Sequence, residues 1–462
     1  MKIRQRFGLC LAVLVLIITL LIEAPYGLSV EGKNTIGITL FFLILLITEA
    51  LPLPVSSLLT IGLTPIFNVT ETFSGAVIGF AHPVIFFILA SFGIAAAIMN
   101  VPITKRVLYA LLKRAGFKVE MILFAMMIAT AFVSFFMSNV PACAIMMAVA
   151  LEFVDMLDNE EKKSIGKTFM IAIPVATMIG GIATPASSSL NLLAIGLLEQ
   201  HTGITISFVQ WMAIGIPLVV VLIPLAWLLT VKVYKPVQIN REKIESYIEN
   251  IRVKGPISKK ELYVIIIMII TLALWIASSW VSEIEIFTVA VLCAVLFFLP
   301  GINVLDWGKF VKTINWDIIF ISGTVLSTAN ALVENGVSAW LTQFLSPANF
   351  ALSANALVGL ASVFVFLMLL IITSAPALIT VLAGSFVAIA LSAEVNPAYL
   401  MIALAFCAGN CYLFPLDTVQ LITYSKGYYK MTDMCRSTVF LQIAIVVLLM
   451  FWIPFMGGVL GL

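Results

Sequence analysis

Long apolar stretches, separated by short polar segments, constrain this chain more than any other feature. Of its 462 residues, 62% are hydrophobic and only 10% are charged. Soluble domains carry about 25% charged residues, and roughly 20 consecutive apolar residues cross the hydrocarbon core of a membrane as a helix. The sequence therefore predicts an all-α polytopic membrane protein.

The positions of Lys and Arg favour one topology. If the chain has about eleven spans and a cytoplasmic N-terminus, cytoplasmic segments hold the great majority of these residues, as membrane proteins usually show. Of the 25 Lys and Arg residues, 24 then lie inside and only Lys33 lies outside. We predict a multi-pass protein of the cell membrane (inner or plasma membrane), with its N-terminus in the cytoplasm and its C-terminus outside.

Three landmarks recur at nearly constant spacing along the chain. The pairs are Val84 with Ile318, Ser138 with Ser374, and Thr184 with Thr418, at offsets of 234, 236 and 234 residues. The charge distribution orients the two halves in opposite directions. We therefore predict two inverted-topology repeats, an arrangement that places a binding site at their interface near the bilayer midplane.

These features divide the chain into four parts. They are a first transmembrane span in 1–35, a first repeat in 36–231, a polar linker in 232–261 and a second repeat in 262–462. Each repeat is expected to hold a re-entrant hairpin, at 119–155 from the cytoplasmic side and at 354–393 from the outer side. An apolar stripe in the linker predicts an amphipathic helix along the cytoplasmic face. The stripe consists of Ile244, Tyr247, Ile248 and Ile251.

The stretch SFFMSNVP, residues 134–141, is a polar break between two apolar arms and marks the first hairpin tip. Non-helical backbone at membrane depth is tolerated only where it is buried in protein or lines a cavity. Ser134, Ser138 and Asn139, with backbone carbonyls near a second break at 183–189, can supply oxygen ligands for Na⁺. The alternative is that these side chains only satisfy the backbone of the turn. The corresponding second tip, at 373–376, is less polar.

Asp417 lies between apolar flanks in NCYLFPLDTVQLITY. An ionisable residue at membrane depth is costly and is functional by default. Asp417 can coordinate a cation, carry a proton, or cap the helix that is expected to start at Thr418. Glu49 and Asp317 lie near predicted span ends, where capping or interfacial roles are expected.

The residues give no indication of an enzyme. The sequence holds no catalytic triad, metal-binding cluster or ATP-binding loop, so we predict neither catalysis nor a cofactor. Hydroxyls, amides and helix N-termini would have to hold an anion, because no Lys or Arg lies in the middle of a span. The net charge of +2 gives no reason to expect nucleic acid. The expected partners are a small anion, a coupling ion and the lipid bilayer.

Five segments, in the same order along the chain, carry a family resemblance. They are ITEALPLPVSSLL at 47–59, SFFMSNVPA at 134–142, GGIATPASSSLN at 180–191, INWDIIF at 314–320 and LFPLDTVQLITYSKGYY at 413–429. Together they resemble the divalent anion/sodium symporters, a family of Na⁺-coupled dicarboxylate, citrate and sulfate carriers. The resemblance implies a homodimer whose protomers each move one part across the membrane like an elevator. It also implies a substrate site between the two tips, flanked by Na⁺ sites.

The resemblance also implies roles for particular residues. The first Na⁺ site would consist of Ser134, Ser138 and Asn139 with backbone near Ala183. The second would consist of Thr373, Ser374 and Ala375 with backbone near Ala408, and Asp417 as an added cation ligand or proton site. The candidate substrate-binding residues are Asn139, Val140, Ser374, Ala375, Pro376, Thr184 and Thr418. Both tips of the family usually read Ser-Asn-Thr, so this chain lacks the second Asn and the hydroxyls at Val140 and Pro376.

The sequence therefore predicts a secondary active transporter that takes up a small anion, a di- or tricarboxylate, by Na⁺ symport. No metal other than Na⁺ is expected. One alternative is an H⁺-coupled or exchange carrier of carboxylates or of inorganic oxyanions such as sulfate. A second alternative is an uncoupled channel, which saturable uptake with trans-stimulation would exclude.

Overall fold

The structure is a computed structural model that describes residues 3–281, 283–337, 339–340, 352–370, 372 and 374–462. Within these ranges the chain forms α-helices and two short 3₁₀ helices, and no β-strand occurs. The prediction of an all-α polytopic fold is confirmed. The number of spans and the side from which each hairpin enters the membrane stay predictions.

The first half of the chain and the linker form twelve α-helices. They are α1 (Ile3–Leu21), α2 (Val30–Thr48), α3 (Leu53–Ile66), α4 (Phe73–Ala76), α5 (Pro83–Met99), α6 (Ile103–Ala115), α7 (Val119–Ser134), α8 (Asn139–Val154), α9 (Asn159–Gly180), α10 (Ser189–Thr202), α11 (Phe208–Tyr234) and the linker helix α12 (Arg241–Ile251).

The described helices of the second half follow a similar order. They are α13 (Lys259–Ala277), α14 (Ile286–Leu296), α15 (Trp307–Val311), α16 (Trp316–Glu334), α17 (Ala354–Leu369), α18 (Ala375–Ser392), α19 (Pro397–Ala408), α20 (Thr418–Tyr424) and α21 (Met431–Leu460). In each half, two helices meet at a tip, and a third ends at a break. A fourth helix begins after the break, and a long helix follows. The series α7 to α11 therefore has its counterpart in α17 to α21.

Two of the predicted domain boundaries fall inside helices. Helix α2 begins at Val30, because the Ser29 hydroxyl accepts a hydrogen bond of 2.9 Å from the Gly32 N–H. The predicted boundary at residue 36 therefore lies within this helix. Helix α13 begins at Lys259, so the boundary after residue 261 also lies within a helix. Both positions have one cause: the first turns of these helices are polar, and polarity alone does not distinguish a loop from a helix start.

Few of the helices could cross a bilayer unaided. Among the described residues, six helices are long and apolar enough, and a seventh candidate is the pair α5 and α6, bent by 62° at its break. The arms α7 and α8 have only 16 residues each. At 1.5 Å per residue each extends about 24 Å, less than the ~30 Å of hydrocarbon. That length suits arms that enter the membrane and turn back.

Lys33, the one basic residue predicted to lie outside, is buried against the end of α1. Its ammonium donates hydrogen bonds to the carbonyl oxygens of Leu20 and Ile22, at 3.1 and 2.8 Å. The last carbonyls of a helix have no partners of their own, and a cation there also complements the helix dipole. Lys33 therefore caps α1 and does not extend into solvent.

The linker helix α12 packs on protein. Ile244, Tyr247 and Ile251 of its apolar stripe are buried. The Tyr247 hydroxyl donates to the carbonyl oxygen of Val149 at 3.1 Å, and its ring lies 4.5 Å from the ring of Phe153. Both partners belong to α8. The predicted helix exists, and its apolar side covers the first hairpin.

Candidate functional site

A cavity of about 340 Å³ lies between the two tips and is the centre of the candidate site. The break before α20 and the start of α10 complete its wall. The lining residues are 138–140, 188–190, 374–376 and 416–419, with Glu49, Leu53, Asn315, Asp317, Ile318, Ile321, Gly409 and Leu421. The structure thus brings together Ser138, Asn139 and Val140 of the first tip with Ser374, Ala375 and Pro376 of the second, and with Asp417 and Thr418.

The first tip gathers three oxygen atoms. The Ser134 hydroxyl lies 2.9 Å from the side-chain oxygen of Asn139 and 2.9 Å from the carbonyl oxygen of Thr177 on α9. A single hydroxyl proton serves these two acceptors, so the cluster is rich in acceptors. Helix α9 approaches so closely because it ends in glycines: a Cβ on Gly181 would lie 2.4 Å from the Asn139 oxygen.

Ser138 occupies the N-cap position of α8, yet its side chain makes no capping hydrogen bond. Ser138 is half-buried and lines the cavity, whereas Ser134 is fully buried behind it. The two serines, four residues apart in the sequence, therefore differ in the structure. Ser134 belongs to the oxygen cluster, and Ser138 to the cavity wall.

The break between α9 and α10 is held by its own side chains. The Asn191 amide donates to the carbonyl oxygens of Gly181 and Thr184, at 2.8 and 3.0 Å. The Thr184 hydroxyl donates to the Phe135 carbonyl at 2.9 Å and so ties the break to the first tip. Thr184 and Ala183 are buried and do not line the cavity. Thr184 therefore supports the site and does not face a substrate in this structure.

The second tip is simpler. Ser374 is the N-cap of α18 and, like Ser138, makes no side-chain capping bond. Ala375 and Pro376 offer no polar side chain, and the Thr380 hydroxyl donates to the Pro376 carbonyl at 2.8 Å. Thr373 lies outside the described residues.

Ala408 is buried at the end of α19, behind the cavity. Its neighbour Gly409 lines the cavity instead. Ala408, near which a backbone ligand was predicted, is therefore one residue away in sequence from the residue that lines the cavity.

Asp417 caps α20, as one of the sequence interpretations held. Its carboxylate accepts a hydrogen bond of 2.9 Å from the Val419 N–H. Gln420 completes the cap: its side-chain oxygen accepts from the Asp417 N–H at 3.3 Å, and its amide donates to the Cys411 carbonyl at 2.6 Å. Asp417 is nevertheless only half-buried and lines the cavity. The cap leaves carboxylate surface facing the cavity.

Six helices begin at the cavity: α3, α8, α10, α16, α18 and α20. Ser188 and Asp417 cap α10 and α20 with their side chains, but the other four helices have no side-chain cap. The first N–H groups of a helix have no intrahelical partner and carry the positive end of the helix dipole. Such N-termini bind anions without a basic side chain.

The charged groups of the lining are all acidic. Glu49, Asp317 and Asp417 line the cavity, and none of the described lining residues is Lys, Arg or His. Glu49 and Asp317 are exposed at its margin. The sequence assigned these two residues to capping or interfacial roles, and it did not identify Ser188, Ser189 or Asn315. The sequence signal for the serines was the run SSS after Thr-Pro-Ala, a typical helix start.

Two tips and two helix breaks that meet at one cavity, inside an all-helical membrane fold, define a secondary membrane transporter. The chain belongs to the sodium:sulfate symporter family, whose transmembrane region it matches over residues 4–462. This confirms the family resemblance of the five segments. It also confirms that the chain is a transporter and not an enzyme.

Relatives agree with this assignment, and one solved structure shares the fold. The sodium-dependent dicarboxylate transporter SdcS of Staphylococcus saprophyticus is 28% identical, covering 99% of this chain and 93% of that protein. The SdcS protein of Staphylococcus aureus is 28% identical, covering 93% of this chain and 87% of that protein. The fold is similar to the crystal structure of the Alcanivorax borkumensis YdaH transporter, with a TM-score of 0.62 over 98% of this chain and 99% of that one, at 12% identity.

Proposed function

We propose that this protein carries a small dicarboxylate or tricarboxylate across the cell membrane together with Na⁺. The relatives at 28% identity are named sodium-dependent dicarboxylate transporters, and they align over nearly the whole chain. Membership of the symporter family supports the same class of activity.

One observation carries the proposal: the cavity is lined by helix N-termini and by carboxylates, without a basic side chain among its described residues. The N-termini of α8 and α18 lie at opposite tips, so they suit an anion with a charged group at each end. A volume of about 340 Å³ fits a small carboxylate. Three acidic side chains oppose an anion that arrives alone, because like charges repel. Cations that bind together with the anion offset the negative charge of these side chains. Binding of the anion is thereby coupled to binding of the cations.

The first tip is the better cation site. Ser134, Asn139 and the Thr177 carbonyl supply three oxygens, and the Ser134 hydroxyl lies within hydrogen-bonding distance of the other two. Na⁺ in transporters is coordinated by such carbonyls at the ends of broken helices. Because Ser134 bridges Asn139, Na⁺ bound there orders the residue that also lines the substrate cavity. The second cation site, with Ser374 at the second tip and Asp417 at the break before α20, is the weaker candidate. At this tip Ala375 and Pro376 offer no side-chain ligand.

Transport by an elevator-type movement is part of the proposal, with the tips and broken helices moving as one body in each protomer of a homodimer. The close packing of α9 against the first tip supports a common movement of these elements. Crosslinking in double-cysteine variants, with one cysteine at a tip and the other on a helix outside the moving body, followed by uptake measurements, would test it. Undiminished uptake with the moving body locked to the rest of the protein contradicts the elevator.

The symport is tested by uptake into liposomes that hold the purified protein, with Na⁺ and pH gradients imposed separately. We expect an inward Na⁺ gradient to drive accumulation of succinate or citrate, and a pH gradient alone to have little effect. Saturation and trans-stimulation should accompany uptake, as expected for a carrier. Uptake that ignores Na⁺ and follows pH would overturn Na⁺ coupling.

A second candidate is an H⁺-coupled or exchange carrier, including one for sulfate. Asp417 favours it, because a carboxylate at the cavity wall can carry a proton. The family description also names sulfate. The same liposomes distinguish the candidates, since sulfate competes with labelled succinate only if both occupy the cavity.

A further inference from the structure

Two further cavities lie away from the transport site, at the face that the positive charges predict to be cytoplasmic. One cavity, of about 520 Å³, is lined by Arg106, Tyr109, Glu249, Arg252, Lys254 and neighbouring backbone; we call it the basic pocket. The other, of about 150 Å³, lies between α6, α7 and α13; we call it the apolar cleft. Its wall includes Val107, Phe132, Phe136, Ile265 and Ile269, and Thr104 is its one polar residue.

The two cavities are neighbours because both are lined by helix α6. On α6, Arg106 lines the basic pocket, while Thr104 and Val107 on either side of it line the apolar cleft. On α13, Glu261 pairs with Arg106 at 2.6 Å, and Val264 one turn further lines the cleft. One turn of helix is about 5.4 Å. A ligand in the basic pocket therefore lies next to the cleft.

The basic pocket keeps cationic groups for a ligand. Four hydrogen bonds occupy the Arg106 guanidinium: two go to Glu261, one to the Gly255 carbonyl and one to the Pro256 carbonyl. Arg252 and Lys254 are exposed. Among the described residues, Arg252 forms a surface ion pair of 3.3 Å with Glu249, and such pairs contribute little.

The apolar cleft opens to hydrocarbon. Ile269 in its wall is 63% exposed and Phe132 is 42% exposed. On α13 the neighbouring side chains Ile266 and Ile270 are exposed as well. Because α13 is apolar and long enough to cross a membrane, these side chains face lipid.

We propose that the basic pocket and the apolar cleft together bind one anionic phospholipid of the membrane. Arg252 and Lys254 hold the phosphate, and an acyl chain lies along the cleft. Basic pockets above apolar grooves on the cytoplasmic side are typical of anionic lipid sites. The cleft faces the bilayer and the pocket carries the complementary charge. A bilayer phospholipid satisfies both halves of the site at once, whereas a soluble phosphate leaves the cleft empty.

The site touches the moving parts of the transporter. Phe132 and Phe136 in the cleft flank Ser134 on the first hairpin, which belongs to the oxygen cluster. An acyl chain packed on them contacts the outer side of the same tip. The bound lipid is therefore placed to stabilise the first hairpin against α6 and α13.

The experiment measures thermal unfolding and bound lipid, by native mass spectrometry, of the full-length protein in detergent. Dioleoylphosphatidylglycerol is the anionic probe, dioleoylphosphatidylcholine the zwitterionic control, and glycerol 3-phosphate the soluble phosphate. We expect only the phosphatidylglycerol to remain bound and to raise the melting temperature. Its binding should weaken as salt rises from about 0.1 to 1 M, because exposed charges are then screened. Equal binding of both lipids, or equal stabilisation by glycerol 3-phosphate, would overturn the proposal.

Variants then locate the lipid. Arg252→Ala with Lys254→Ala should weaken phosphatidylglycerol binding by about tenfold or more, since each basic group near anionic lipid contributes roughly a further factor of five. Val107→Trp should fill the cleft and also reduce lipid binding. Lys163→Ala with Lys312→Ala removes two exposed charges elsewhere on the chain and serves as the matched control. If the first pair binds the lipid as tightly as the control pair, the basic pocket does not hold the headgroup.

Discussion

The Ser134 hydroxyl lies 2.9 Å from the side-chain oxygen of Asn139, although the two residues lie on opposite arms of the first hairpin. Ser134 is the last residue of α7, and Asn139 is the first residue of α8. Both are buried, at 0% and 8% exposure. The contact therefore closes the tip and at the same time presents two oxygens to a cation.

Asn139→Ala should abolish Na⁺-driven uptake while leaving the protein folded. The substitution removes a buried polar ligand, and losing a hydrogen bond to a charged group weakens binding about 10- to 100-fold. Uptake into liposomes at several Na⁺ concentrations measures the loss. Asn250→Ala, at an exposed position of α12, is the control. Wild-type uptake by a well-folded Asn139→Ala protein would show that the tip is not the site.

Asp417→Asn should change the cation or pH dependence of uptake with little effect on stability. Asn is as good an N-cap as Asp, so α20 keeps its start while the carboxylate is lost. Asp306, which caps α15 by accepting from the Lys309 N–H at 3.0 Å, lies outside the cavity. Asp306→Asn is therefore a matched control. If both variants keep the wild-type pH and Na⁺ profiles, the only role of Asp417 is to cap the helix.

The fold class and the first tip could be predicted because both depend on local sequence. A polar Ser-Asn between apolar arms is costly in a membrane unless it lines a cavity, and the structure places Ser138 and Asn139 on the cavity wall. The spacing of Ser138 and Ser374 also predicted that two tips would be paired. The cap formed by Asp417 followed from residue type.

Contacts between distant segments could not be predicted in this way. Thr184 faces the Phe135 carbonyl and not the cavity, because the break folds back on the first tip. Glu49 and Asp317 reach the cavity because α2 and α16 end and begin beside it. Both residues lie in segments that carry the family resemblance, but the pattern of these segments does not indicate that they approach one cavity. Sequence patterns indicate which residues are buried, whereas the partners depend on how the helices pack.

Gly181→Ala should impair Na⁺-driven uptake without unfolding the protein. The backbone at Gly181 is in the right-handed helical region, with φ −63°, so Ala adopts it without strain. Its Cβ, however, would lie 2.4 Å from the Asn139 oxygen, and that side chain must move. Gly458→Ala is the control, because a Cβ there meets nothing within 4 Å. The melting temperature measures any loss of stability, and the Na⁺ dependence of uptake measures any loss of cation binding. An unchanged Na⁺ dependence in Gly181→Ala would argue against ligation of Na⁺ by Asn139.

Glu261→Gln should destabilise the protein by about 2 kcal/mol, since it leaves the Arg106 guanidinium without its counter-charge. The Glu261 side chain is 2% exposed and lies 2.6 Å from Arg106, which joins α13 of the second half to α6 of the first. Glu245→Gln, in an exposed pair with Arg241 at 2.7 Å, should cost less than about 0.5 kcal/mol and is the control. Thermal unfolding in detergent measures both. Equal melting temperatures for the two variants would show that the buried pair does not hold the two halves together.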